Sequence, residues 1–135
     1  MVEIGTNYGA VLTAWVALAG LLLLQAGVAD FAAIRSKHTP GMPVTSGHDN
    51  FLFRAVRAQA NTHENLPVFI VLSLAAMLLG ADAGTTRTLV WAFVGARVLH
   101  MGAYYADLRT FRSIAFAIGF LALVGLFVVT LRAIP

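Results

Sequence analysis

Cysteine is absent from the 135 residues, which excludes disulfides, thiolate metal sites and a cysteine nucleophile. Any thiol chemistry would need a thiol carried in by a substrate or cofactor. Charge is also scarce. Only 11% of the residues are charged, against about a quarter in an ordinary soluble domain, and 59% are hydrophobic. So few charges cannot coat a soluble globule of this size. The 9 basic and 6 acidic residues leave a formal charge of +3, but they form no basic stripe interleaved with aromatics, so no nucleic-acid surface is expected. His38, His48 and His63 give no pair at metal-ligand spacing, and no metal site is expected. The scattered glycines make no phosphate loop, and Ser113 has no nucleophile elbow or suitably spaced Asp and His around it.

What the chain has is long apolar runs. The first reaches from Tyr8 to Ala29 without a charge and continues through Asp30 to Arg35. Its head, Met1-Val2-Glu3, lacks the basic start of a signal peptide, so a retained helix is expected. Thr39-Pro40-Gly41-Met42-Pro43 then forces a loop. Asp49 is the expected N-cap of a second helix that is polar from Arg54 to Asn65, apolar from Leu66 to Leu79, and bent at Pro67. Gly80 to Gly84 closes it, a third helix carries Arg97 and His100, and a short connection leads to the fourth. The expected fold is an all-α, integral membrane four-helix bundle, a single domain over 1–135 with helices at about 8–35, 50–80, 85–106 and 111–133. Continuous apolar runs of about 14 or more residues exclude the alternating strands of a barrel. Arg35, Lys37, Arg54, Arg57, Arg109 and Arg112 lie toward one end and Arg87 and Arg132 toward the other. The positive-inside rule then turns both termini away from the cytoplasm.

At 100° per residue, Arg54, Arg57, Asn61, Glu64 and Asn65 fall at about 0, 300, 340, 280 and 20° on the second helix, one ionic face. On the third, Phe93, Arg97, His100 and Tyr104 follow steps of four, three and four, one stripe. The two faces are expected to meet, because a charge at membrane depth costs about 2.5–3.5 kcal/mol and seeks a bundle interior or a cavity. Glu64 is the only acid within reach of Arg54, Arg57 and Arg97. The surplus of positive charge suits a carboxylate-bearing ligand. The competing reading is a set of buried ion pairs that only fixes helix register.

The run Arg54-Ala-Val-Arg-Ala-Gln-Ala-Asn-Thr-His-Glu-Asn-Leu-Pro67 resembles the second-helix signature of the MAPEG proteins, the membrane-associated proteins in eicosanoid and glutathione metabolism. Gly95-Ala-Arg-Val-Leu-His-Met-Gly-Ala-Tyr104 and Leu108-Arg-Thr-Phe-Arg-Ser113 resemble the family's third helix and the start of its fourth. The resemblance implies a homotrimer that binds glutathione between subunits. It implies that Arg57, Asn61, Glu64, Arg97, His100 and Tyr104 hold the glutathione, with Arg54 and Arg35 as further contacts and Lys37 as an alternative to Arg35. Arg112 and Ser113 match a pair that activates the glutathione thiol, a role that suits a guanidinium beside a thiol of ordinary pKa about 8.5.

Two departures stand out: Ala60 replaces an arginine, and Phe116 stands where a tyrosine occurs in some synthases. The eicosanoid-forming activities are therefore not implied. The expected function is a glutathione-dependent transferase or peroxidase acting on lipophilic electrophiles. The alternative is a non-enzymatic, lipid-binding or accessory subunit of a membrane complex. The expected location is the bacterial inner membrane.

Overall fold

The computed structural model describes residues 4–135. A short turn, α1 (Ile4–Asn7), precedes four long helices: α2 (Gly9–Arg35), α3 (Phe51–Leu78), α4 (Ala83–Tyr105) and α5 (Arg109–Arg132). No strand occurs among the described residues.

Local chemistry sets the helix ends. Asn50, not the expected Asp49, caps α3: its Oδ1 accepts from the backbone N–H of Leu52 at 2.8 Å and of Phe53 at 3.3 Å. Both residue types cap well, and the one in extended backbone immediately before the first turn takes the role. Asp82 caps α4 by accepting from the Thr85 N–H at 2.8 Å, so the helix begins at Ala83, two residues before the start expected at Thr85. At the other ends, α2, α3 and α4 finish alike. The chain turns left-handed at Lys37, Gly80 and Asp107, and the next N–H reaches back to Ala33, Ala76 and Ala103 respectively. Only Gly80 reaches that conformation without steric cost. α3 runs through Pro67 as helix on both sides. In the turn before it, His63 Nδ1 donates to Gln59 O at 3.0 Å and Asn65 Nδ2 to Asn61 O at 2.8 Å.

α4 packs along α5 and on α3, and α3 also touches α2 and α5. α3 and α4 therefore form the central diagonal of the bundle, with α2 and α5 on its flanks. By length and composition α2 and α5 are apolar enough to cross a membrane. α3 and α4 are similarly long and carry the polar residues, as the polar first half of the second helix and the Arg97–His100 stripe of the third led one to expect. The arrangement fits a membrane bundle whose outer helices are greasy and whose central pair is partly polar.

The core follows heptad steps. α2 buries Val11, Ala14, Leu18, Leu21 and Gln25, and α4 buries Thr86, Val90, Phe93, Arg97, His100 and Tyr104. Toward the α3–α4 connection the seam is apolar, with Phe69 stacked on Phe93 at 4.6 Å between Leu18, Val90 and Leu126. Tyr8, buried at the head of α2, donates its hydroxyl proton to the Ala81 carbonyl and pins that end shut. Toward the opposite end the same seam becomes polar, and there the candidate site lies.

Candidate functional site

Arg97 is wholly buried and lies 8 residues from the last residue of α4, about 12 Å inside that end. One of its N–H groups donates to Asn61 Oδ1 at 2.7 Å. Its Nε and Nη2 are buried without a partner. The guanidinium rests between two aromatic faces, 5.3 Å from the centre of Phe93 and 5.7 Å from that of Phe116. Room for it comes from α5: a Cβ on Gly119 would stand 2.5 Å from Nη2.

One turn on, His100 is 2% exposed, and its Nδ1 also lacks a partner. Its ring meets Tyr104 edge-on at 4.9 Å and Phe116 at 6.4 Å. Tyr104 in turn carries Arg112 of α5 on its face, 4.5 Å from the ring centre. Arg112 Nη1 lies 3.1 Å from His48 Nδ1. A guanidinium can only donate, so His48 Nδ1 accepts and carries no proton. His48 is stacked over Tyr104 at 6.1 Å and edge-on to Phe53 at 5.0 Å. Arg54 holds this connection in place by donating to the His48 carbonyl at 2.6 Å and to the Asp49 carbonyl at 3.2 Å, with Tyr105 O at 3.5 Å.

Within one chain the structure thus gathers Arg54, Asn61, Arg97, His100, Tyr104 and Arg112 at one end of the central diagonal. It does not bring in the others. Arg57 and Glu64 are exposed on the outer side of α3. Glu64 does not bond Arg97, whose only hydrogen bond among the described residues is to the neutral amide of Asn61. Ser113 is exposed and turns its hydroxyl back to Arg109 O at 3.2 Å. Arg35 lies at the end of α2 over Phe31, beside a groove of about 300 Å³ that Asn50 and Leu52 also line. Outside the polar end, Val98, Gly102, Leu108, Phe111 and Ile118 line an apolar groove of about 480 Å³ between α4 and α5.

Sequence reasoning missed three contributors. Gly119 is one of the scattered glycines, and its place on the inward stripe Ala115, Gly119, Ala122 and Leu126 is the signal that marks it. His48 was weighed only as a metal ligand, because nothing local to a loop tells where it folds. Gln25, the lone amide in the first apolar run, falls on that helix's buried stripe. Its Nε2 donates to Thr62 Oγ1 at 3.2 Å while its Oε1 stays unpaired.

A buried guanidinium with unpartnered N–H groups lies inside a four-helix bundle whose flanking helices are apolar enough to cross a membrane, an arrangement that fits a membrane bundle with a polar interior seam. The chain belongs to the MAPEG family, whose sequence pattern it matches over residues 8–132. Compared with curated protein sequences, it has no significant match.

Proposed function

We propose that the protein is a glutathione-dependent membrane transferase or peroxidase acting on lipophilic electrophiles. The observation that carries this reading is Arg97, wholly buried with two unpartnered nitrogens and a single bond to neutral Asn61. A buried cation left in this state costs several kcal/mol unless an anion arrives, about 3–5 kcal/mol by analogy with broken buried pairs. The carboxylates of glutathione are such anions, and a guanidinium binds a carboxylate through two parallel N–H groups. His100 Nδ1, also unpartnered, adds a second buried polar atom one turn further along the same stripe.

Arg57 and Glu64 support assembly as a homotrimer. Glu64 lies 13 residues into α3, about 20 Å from its start and near mid-membrane, on an exposed face. A lone chain would present that carboxylate and Arg57 to lipid at about 2.5–3.5 kcal/mol each. Covering them with a neighbouring copy removes the cost and adds Arg57, Glu64 and the end of α2, with Arg35, to a shared glutathione site.

In the reaction, the helix α3 and α4 residues hold the peptide, and Arg112 places positive charge beside its thiol. Arg112 stabilises the thiolate, and Ser113, once its hydroxyl leaves Arg109 O, donates to the sulfur. The electrophile arrives from the bilayer, where the apolar face of α4 and α5 is open to lipid. The polar end carries Arg35, Lys37, Arg109 and Arg112, which by the positive-inside rule supports a cytoplasmic position for that end in a bacterial inner membrane, with the termini on the far side.

Purified protein in detergent is expected to conjugate glutathione to a reactive aryl halide, and Arg112→Ala to lose most of the rate. Glutathione binding without turnover, across electrophile and hydroperoxide panels, would overturn the enzymatic reading. It would favour the second one, a lipid-binding or accessory subunit, to which the outward-turned Ser113 and the missing phenol at Phe116 already lend weight.

A further inference from the structure

We propose that His48 is a further catalytic residue of this site, the base that takes the thiol proton; this rests on the glutathione reading above. Its imidazole is half-buried on the connection between α2 and α3, and its Nδ1 lone pair is already aimed at Arg112, 3.1 Å away. A thiol delivered to Arg112 therefore meets that lone pair at the same point. The step balances within the site. The S–H bond breaks, its proton forms the N–H bond at His48 Nδ1, the sulfur keeps the electron pair, and Arg112, keeping its own proton, redirects its hydrogen bond from the imidazole to the thiolate.

The groups around His48 are Arg112 from α5, Tyr104 from α4, Arg54 and Phe53 from α3, and Asp49 next to it in the chain. Two of them are cations, and exposed residues 45–47 leave the ring near water to release the proton. The other imidazoles serve less well. His100 is buried and does not touch Arg112 by a hydrogen bond, and His63 is exposed and bonded within its own helix.

The test uses His48→Gln, whose amide oxygen still accepts from Arg112 but cannot take a proton. Thiolate formation is followed by its ultraviolet absorbance on rapid mixing with glutathione, alongside equilibrium binding. The variant is expected to bind within about twofold of wild type, since the Arg112 bond is kept. It is expected to form thiolate about 10²-fold or more slowly, the usual contribution of a positioned base, with added imidazole restoring part of the rate. Wild-type thiolate formation in the variant would overturn the base alone. Wild-type protein that neither binds glutathione nor forms thiolate would overturn the glutathione reading and the base with it. Should the variant fail to fold, the wild-type pH profile decides: thiolate formation must slow through the imidazole range as pH falls, and a flat profile there overturns the proposal.

Discussion

Gly119→Ala isolates the link between helix packing and the buried guanidinium. In a helix, glycine to alanine alone stabilises by about 1 kcal/mol. Here the new methyl would stand 2.5 Å from Arg97 Nη2 and 3.2 Å from its Cζ. Phe93 and Phe116 lie against the group, and a shift away from the methyl strains its bond to Asn61. Overpacking of this kind costs about 1–3 kcal/mol, and losing a hydrogen bond from a charged donor about 1.5–3 kcal/mol more. The net expectation is a loss of about 1.5–5 kcal/mol, read as a lowered unfolding midpoint in detergent. Gly125→Ala is the matched control on the same helix. Its methyl would meet the Leu89 side-chain tip at 2.7 Å, which a rotamer adjustment of about 0.5–1.5 kcal/mol relieves, leaving stability near that of wild type. Glutathione affinity should fall at least about tenfold in Gly119→Ala, the equivalent of about 1.4 kcal/mol, and hold in Gly125→Ala. Equal behaviour of the two variants would refute the idea that Gly119 is there for Arg97.

Asn50→Ala removes both cap bonds at the head of α3 and is expected to cost about 1 kcal/mol in thermal or denaturant unfolding, whereas Asp49→Ala should leave stability unchanged. Asp107→Gly relieves a left-handed backbone at φ 56° and removes a buried, unpaired Oδ1; a gain of about 1–2 kcal/mol is expected, measured the same way. Asp82 gives a pH dependence. Its hydrogen bonds with Thr85, side chain first and backbone second, hold its carboxyl below the usual carboxylate range. A depressed folded-state value stabilises above the unfolded-state pKa and loses that contribution as pH falls through the folded value. Unfolding midpoints of Asp82→Asn and wild type should therefore differ above pH about 4 and converge in acid; a constant gap across the titration would refute the linkage.

The parts of this architecture that repeat were legible in the sequence. The step pattern from Phe93 to Tyr104 placed a guanidinium, an imidazole and a phenol on one stripe, and α4 buries all of them. The apolar runs gave four helices to within a few residues, because length and periodicity are local properties. What depended on contacts between elements was not legible. The ends of α2 and α4 turn at Lys37 and Asp107, where no glycine announces it. Glu64 was the obvious counter-charge for Arg97 by composition, yet its place on the α3 wheel carries it outward, and Asn61 takes the bond. Arg54 and Arg112 reach the α2–α3 connection only in three dimensions, so His48 could not be placed from its neighbours in the chain.

The central claim is that the cationic seam around Arg97 receives a carboxylate-bearing thiol peptide. Calorimetric titration of the detergent-purified protein with glutathione tests it most directly. The account predicts saturable binding that is lost in Arg57→Ala and weakened in Asn61→Ala; a featureless titration of folded wild-type protein, or binding indifferent to both substitutions, would contradict it.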